Sequence, residues 1–318
     1  MEANREEEAR RFADEVAAPL ARAWVYVGTE DLLPVPRAYL VHEAGGRSLL
    51  ICRDDEGELG AFVNACSHRG TRLCRQAGVG RLRCPYHGWV FDTSGRLLGA
   101  SDRKGLPPFD DAELGLARVA LARVGPFLFA REGQDPALPS VGAPGFGEPG
   151  ARLRALGALL TRPLLESKVL VARAWTELVP AALHELSSPE GELSLLPGGH
   201  SWDGPRPGSA WERCLGLIAP AAAAERGSLF VFPNLLVVHR GSAVEVTSLL
   251  PRAPSGTLVW TRLYDSSPAR SALHPRELWR GLARLVAQHG LSRAQARAVG
   301  PGSAGRRGDH FLAALRDA

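Results

Sequence analysis

Lysine is nearly missing from this chain of 318 residues: only Lys104 and Lys168 occur, and arginine carries the rest of the basic charge. The formal net charge is only +4, too small for this length to argue for a nucleic-acid partner. Long apolar runs are also missing. The longest, from Cys214 to Ala224, falls well short of the ~20 residues a membrane-spanning helix needs. The first residues, Glu2 to Arg11, alternate acid and base and lack the apolar stretch of a secretory signal. No membrane partner is expected, and the expected location is the cytoplasm. Cysteine is sparse. Five residues, an odd number, do not form a disulfide framework.

What remains is a globular composition, 45% hydrophobic with mixed charge, and a length that suits two domains better than one core. Phe12, Val16 and Leu20 fall on one face of a helix over residues 5–20, and Trp24 to Val27 starts a strand. From Ala38 to about Ala130 the pattern is all β. The short apolar runs Leu49–Cys52, Ala61–Asn64, Val90–Asp92 and Phe127–Ala130 are divided by turns such as Asp54-Asp55-Glu56-Gly57 and Thr93-Ser94-Gly95. Residues 136–150 are rich in Pro and Gly and read as a linker. Beyond them, Lys168–Trp175, Leu229–His239, Leu258–Tyr264 and Val244–Leu250 read as strands. Arg276–His289 reads as a helix, with Pro275 at its start and Gly290 past its end. The expected fold class is α+β: an N-terminal helical segment over 1–36 packing on the second domain, an all-β domain over 37–135, the linker, and a sheet-and-helix domain over 151–318.

The most specific signal lies in the all-β part. Cys66-Ser67-His68 and Cys84-Pro85-Tyr86-His87 bracket residues 69–83. Each short loop offers one thiolate and one imidazole. A Rieske [2Fe–2S] centre needs that set, two sulfurs on one iron and two histidine nitrogens on the other. Gly70 and Gly88 follow the histidines, where tight turns suit glycine, and Pro85 stiffens the second loop. Zinc is the rival, because Cys₂His₂ is also a zinc set. Zinc knuckles, however, pair Cys with Cys and His with His, whereas here each loop mixes them. A chance coincidence of four such residues is the remaining reading.

The segments Ala61-Phe62-Val63-Asn64-Ala65-Cys66-Ser67-His68-Arg69-Gly70 and Cys84-Pro85-Tyr86-His87-Gly88-Trp89 resemble the Rieske loops of the large (alpha) subunits of ring-hydroxylating oxygenases. Trp24, Gly57, Phe91-Asp92, Gly95 and the run from Gly115-Leu116 to Phe129 continue the likeness. In the second half, Leu229-Phe230-Val231-Phe232-Pro233-Asn234-Leu235, Val244-Glu245-Val246, Leu250-Pro251 and Gln288-His289-Gly290-Leu291 resemble the family's catalytic domain. The resemblance implies a helix-grip type second domain, trimeric assembly and a ferredoxin or flavin reductase as electron donor. It also implies a mononuclear Fe(II) held by two His and one carboxylate. Cys74, between the ligand pairs, is read with Cys52 and Cys214 as a structural thiol.

The second metal is where the pattern breaks. Aligned without gaps on Trp175, the family's carboxylate falls on His184, its first His on Ser187 and its second on Glu192. With a gap, His184 takes the first His position, but the next histidine is His200. The third ligand, an Asp, is due about two turns before Gln288, where Trp279-Arg280-Gly281 stands. Arginine cannot ligate iron, and Glu277 is about one turn too early. Val179, Pro180 and Ala181 occupy places the family keeps polar. His184 is a weak candidate for catalysis, and its plain reading is a hydrogen-bonded core residue. His239 reads as a surface residue or one lining the pocket, and His274 and His310 read as capping or solvated residues.

Arg69, Arg72, Arg75, Arg81 and Arg83 crowd the segment between the loops. They form either a solvated face or a docking patch for an acidic electron donor. The expected function is a Rieske electron-transfer subunit lacking a complete mononuclear iron site, working beside a catalytic sister subunit. The alternatives are an active oxygenase hydroxylating a small hydrophobic substrate through non-standard ligands (His184, His200 or Glu192), and a non-enzymatic redox-sensing ligand-binding protein.

Overall fold

The computed structural model of the protein describes residues 2–14, 20, 23–44, 46–101, 114–131, 147–179, 191–195, 228–240, 243–265 and 296–298. It divides into two compact units, Val16–Phe146 and Met1–Glu15 with Gly147–Ala318.

Among its described residues the first unit has ten strands: β1 Val25–Thr29, β2 Ala38–Ala44, β3 Arg47–Arg53, β4 Leu59–Val63, β5 Gly78–Val79, β6 Leu82–Arg83, β7 Val90–Phe91, β8 Leu97–Gly99, β9 Arg118–Val124 and β10 Phe127–Arg131. Seven form one sheet in the order β1-β10-β9-β4-β3-β2-β5, and β6-β7-β8 form a second. Short strands broken by turn residues fold this way because each hairpin closes locally. The Asp54–Gly57 turn is closed by Glu58 N–H on Asp54 Oδ1 at 2.8 Å. Asp92 Oδ1 accepts from the backbone N–H of Ser94 at 3.1 Å and of Arg96 at 2.9 Å. β1 differs from the expectation. Sequence placed it with the N-terminal segment, whereas it pairs with β10, Val25 opposite Ala130. That pairing joins residues about a hundred positions apart, which no local pattern reports.

The core of this unit lies between the two sheets. Leu50, Cys52 and Phe62 of the large sheet meet Leu82, Phe91 and Leu97 of the small one, with Cys66, Cys74, Cys84 and Trp89 in the same cluster. Gly95 lets the sheets close. It holds φ +87°, and a Cβ there would come within 2.3 Å of the Phe62 ring.

The second unit carries helices α1 (Glu2–Phe12) and α2 (Gly147–Gly157) and strands β11 Arg162–Val171, β12 Gly191–Leu195, β13 Ser228–Phe232, β14 Leu235–Arg240, β15 Ala243–Ala253, β16 Gly256–Asp265 and β17 Ala296–Ala298. The sheet order is β12-β13-β14-β15-β16-β11-β17. Its pairings are antiparallel except β12 with β13, which is parallel.

Three details depart from the sequence reading. α2 begins inside the expected linker, with Pro149 in its first turn, where a missing N–H costs nothing. β11 starts and ends earlier than Lys168–Trp175. Trp175 instead opens a helical turn over 175–179, tied by its indole N–H to the Leu249 carbonyl at 2.9 Å. The run Leu229–His239 is two strands, reversed at Pro233-Asn234, where Pro cannot extend a ladder. Within the expected helix over 5–20, α1 runs into a π-helical turn at 13–14 and Leu20 is helical and buried; Phe12 is half-buried, and residues 15–19, Val16 among them, lie outside the described residues. The expected helix Arg276–His289 and most of the linker also lie outside them.

Replacing Gly95 with Ala should destabilise the first unit by about 2–3 kcal/mol, the sum of a strained φ and an overpacked core. Denaturant unfolding checks it; an unchanged midpoint would refute the close approach to Phe62.

Candidate metal centre

Both candidate ligand loops leave strands of the first unit and return on themselves with the same hydrogen bonds. In the first, Cys66 N–H donates to Thr71 O at 2.8 Å and Gly70 N–H to Cys66 O at 2.8 Å. In the second, Cys84 N–H donates to Trp89 O at 2.7 Å and Gly88 N–H to Cys84 O at 3.1 Å. Each glycine has positive φ, 68° and 69°, which a side chain would strain. The two loops are therefore the same turn written in two sequences, with the histidine two places after the cysteine in one and three in the other.

This construction pairs the side chains, thiol with thiol and imidazole with imidazole. Cys66 and Cys84 are each 3% exposed, within the core. His68 and His87 are half-buried at its rim, and their Nδ1 atoms stand 3.1 Å apart. Burial pushes the Cys66 thiol up to about 11, and its hydrogen bond and charge contact with Cys84 push the same way. The backbone N–H groups of His68 and Arg69, pointing at this sulfur, oppose that rise. The plane of Trp89 lies on His68, 4.6 Å between centroids and 7° between planes. Tyr86, 61% exposed, leans on His87 with centroids 3.9 Å apart. One side of the site is dry and the other meets solvent.

The donors arrive as two like pairs, sulfur beside sulfur and nitrogen beside nitrogen. Among the described residues, no three of His, Cys, Asp and Glu converge so as to hold one metal ion. A zinc site needs four donors on one centre. A [2Fe–2S] cluster takes two protein donors per iron and completes each iron with bridging sulfide. Thiol and imidazole pairs of this kind fit that group.

The other sequence candidates fare differently. Cys52 and Cys74 are buried in the same core, free of disulfides. Burial raises both thiols. Cys74 is also hydrogen-bonded to Tyr39, which opposes its rise. His239 is half-buried on β14, opposite Val244 of β15. Glu192 lies on β12 opposite Leu229. His184, His200, Ser187, Glu277, Arg280, His274, His310 and Cys214 lie outside the described residues. Val179 is buried at 2%.

Sequence reasoning passed over two features. No Asp or Glu occurs from Leu59 to Phe91, so the five arginines of this stretch sit in an uncompensated run. All five are exposed. Arg72 pairs with Glu43, and among the described residues no carboxylate pairs with Arg69, Arg75, Arg81 or Arg83. The gap in acidic residues was legible in the sequence. The second feature, the grip of Asn64 on Cys74, was not, because it joins two ends of a loop.

The first unit thus offers a buried thiol pair and an imidazole pair on twin loops between two sheets, the donor set of a Rieske centre. Residues 23–110 match the Rieske [2Fe-2S] domain family. The glycine betaine monooxygenase oxygenase subunit of Chromohalobacter salexigens is 39% identical over 129 residues, 40% of this chain and 29% of that protein. Toluate 1,2-dioxygenase subunit alpha of Pseudomonas putida is 43% identical over 84 residues, 26% of this chain and 18% of that protein. The chain thus matches less than a third of the length of these curated relatives. Crystal structures of the quaternary ammonium Rieske monooxygenase CntA share the fold over 97% of this chain and 93% of that chain, with TM-score 0.64 and 15% identity. Naphthalene 1,2-dioxygenase from a Rhodococcus species does so over 97% and 79%, with TM-score 0.58 and 19% identity. Residues 23–110 thus carry a Rieske [2Fe-2S] domain, and over nearly the whole chain the fold is shared with these solved oxygenases. No helix among the described residues is long and apolar enough to cross a membrane.

Cys52 and Cys74, both raised by burial, should stay neutral at pH 8 in the folded protein. Their alkylation by iodoacetamide should run at least ~10-fold slower than that of a free thiol and recover on denaturation. Mass spectrometry of the labelled peptides checks it; equal rates before and after unfolding would contradict the burial.

Proposed function

We propose that this chain is a one-electron carrier, with Cys66 and Cys84 holding one iron of a [2Fe–2S] cluster and His68 and His87, through Nδ1, holding the other. The observation that carries this reading is a thiol pair and an Nδ1 pair, each joining two loops with matching hydrogen bonds. When bound, such a cluster takes up and releases single electrons, and its two imidazoles raise its potential above that of an all-cysteine centre. The chain's own residues prepare the place. The core around Cys66 and Cys84 keeps water from the sulfurs, Trp89 fixes the plane of His68, and Tyr86 shields one face of His87 while staying open to a partner.

The electron donor is an acidic ferredoxin or flavin reductase that docks on the arginines around the loops. Four exposed arginines with no carboxylate partner among the described residues, in a carboxylate-free stretch, support this, since complementary charge steers encounter. On the acceptor side, the chain is a redox subunit without a complete mononuclear Fe(II) site, serving a catalytic sister subunit in a three-fold assembly. What supports this is the sequence around Trp175 and Trp279, which supplies no set of two histidines and a carboxylate at the family's spacing.

A second reading is an active monooxygenase with unorthodox ligands, His184 among them. The likeness to CntA over nearly the whole chain favours it. The relatives named for glycine betaine and choline point its first substrate assays to small methylated ammonium compounds.

Protein purified without oxygen should contain two irons and two acid-labile sulfides per chain, and Cys84→Ser should lose the visible absorption entirely. A third iron, with the sulfide unchanged, would move the conclusion to the monooxygenase. The rate of reduction by a negatively charged ferredoxin should drop roughly tenfold as salt rises from about 50 to 300 mM. Stopped-flow measurement decides, and a flat profile removes the arginine docking face.

A further inference from the structure

The two ligand loops are closed at their bases by different means. The second springs from a ladder, with Leu82 opposite Phe91 and Arg83 opposite Val90, so β6 and β7 hold its ends together. The first runs from β4, which ends at Val63, to Cys74, and no strand lies at its far end. In place of a ladder stands one side chain. Asn64 is 2% exposed. Its Oδ1 accepts the Cys74 N–H at 2.9 Å, and its Nδ2 donates to the Cys74 carbonyl at 2.7 Å. The remaining Nδ2 hydrogen goes to Ser48 Oγ at 3.0 Å. Both amide hydrogens and the amide oxygen are therefore used, with no rotamer freedom left.

We infer that Asn64 is the positioning residue of the first ligand loop: its carboxamide stands in for a strand partner and sets where Cys66 and His68 are presented. This rests on the proposed ligand roles of those two residues. The grip takes both the N–H and the carbonyl of one residue, Cys74, as a neighbouring strand would. It is anchored in turn to the β2–β3 hairpin. Asn64 N–H donates to Ser48 O at 2.8 Å, and Ser48 Oγ donates to Glu43 Oε1 at 2.8 Å. Glu43 also pairs with Arg72, which lies in the loop itself. The ion pair is half-exposed and contributes little. The buried amide bonds are the strong element, because breaking one leaves its partner unsatisfied in the core.

Ligand geometry and hydrogen bonding around the sulfurs set the properties of an iron–sulfur centre. A loosened loop base should therefore appear at the cluster and not only in stability. The test compares Asn64→Ala with Leu128→Ala, a buried change on β10 away from the loops, in the iron-loaded full chain. Asn64→Ala should lose its cluster at least tenfold faster than the unchanged protein under a chelator, and shift the electron paramagnetic resonance spectrum of the reduced cluster. Leu128→Ala should lower the unfolding midpoint while leaving that spectrum alone. Ser48→Ala removes one of the three amide bonds and should change the loss rate in the same direction by a smaller factor. If Asn64→Ala does not fold, Asn64→Ser carries the comparison. A spectrum and cluster lifetime unchanged from the parent, with only a lower unfolding midpoint, would overturn the inference. Complete absence of cluster in Cys84→Ser and in the parent alike would instead remove the ligand reading beneath it.

Discussion

Two thiols side by side in an apolar core and two imidazole nitrogens 3.1 Å apart are costly for a polypeptide to assemble. Burial disfavours the charged form of the Cys66 sulfur, and polar nitrogens are drawn to the rim of an apolar core. Metal binding returns that free energy, since a site of this kind is coupled to folding. Until it does, the surrounding structure must impose the arrangement. The rest of the first unit can be understood as the apparatus that does so: two sheets packed through Phe62 and Gly95, twin turns through Gly70 and Gly88, a stacked Trp89, and an amide clamp at Asn64.

The same arrangement separates a protected side from an accessible one. The sulfurs sit among Leu50, Leu73, Phe91 and Leu116, where water is excluded. The imidazoles sit at the rim beside exposed Tyr86 and the arginine-rich segment. Burial of the sulfurs and exposure of the histidine edge serve opposite needs. A long-lived centre needs the first, and exchange of electrons with a partner needs the second. Tying both to one pair of loops makes them hard to change independently. The basic charge is placed by the same stretch of chain, so attraction of a partner and positioning of the donors share one segment.

The second unit has a different character. Its long strands β11, β15 and β16 carry apolar residues on both faces, with occasional buried hydroxyls such as Thr247 and Thr261, 2.9 Å apart. Trp175 is locked to β15 through the Leu249 carbonyl. That anchor sits at the head of the segment where the family places its iron ligands. In this chain the residues that follow are Val179, Pro180 and Ala181.

Much of the candidate site was legible in the sequence. Ligand identity depends on side-chain chemistry, and ligand presentation on a turn of a few residues, so Cys66, His68, Cys84, His87 and the two glycines could be read directly. The alternating strands of the first unit were legible for the same reason, because a strand's period is local. The reversal at Pro233-Asn234 was signalled by the proline but hidden by the apolar run around it. Tertiary structure alone decided which strand flanks β10, what closes the first loop, and which ring lies on His68. Those outcomes depend on contacts between distant residues, such as Val25 with Ala130 and Ser48 with Asn64. The sequence by itself determined which donors the chain offers, since that is a property of residues. Only the folded chain decided that they meet as a sulfur pair and a nitrogen pair, since that is a property of distances.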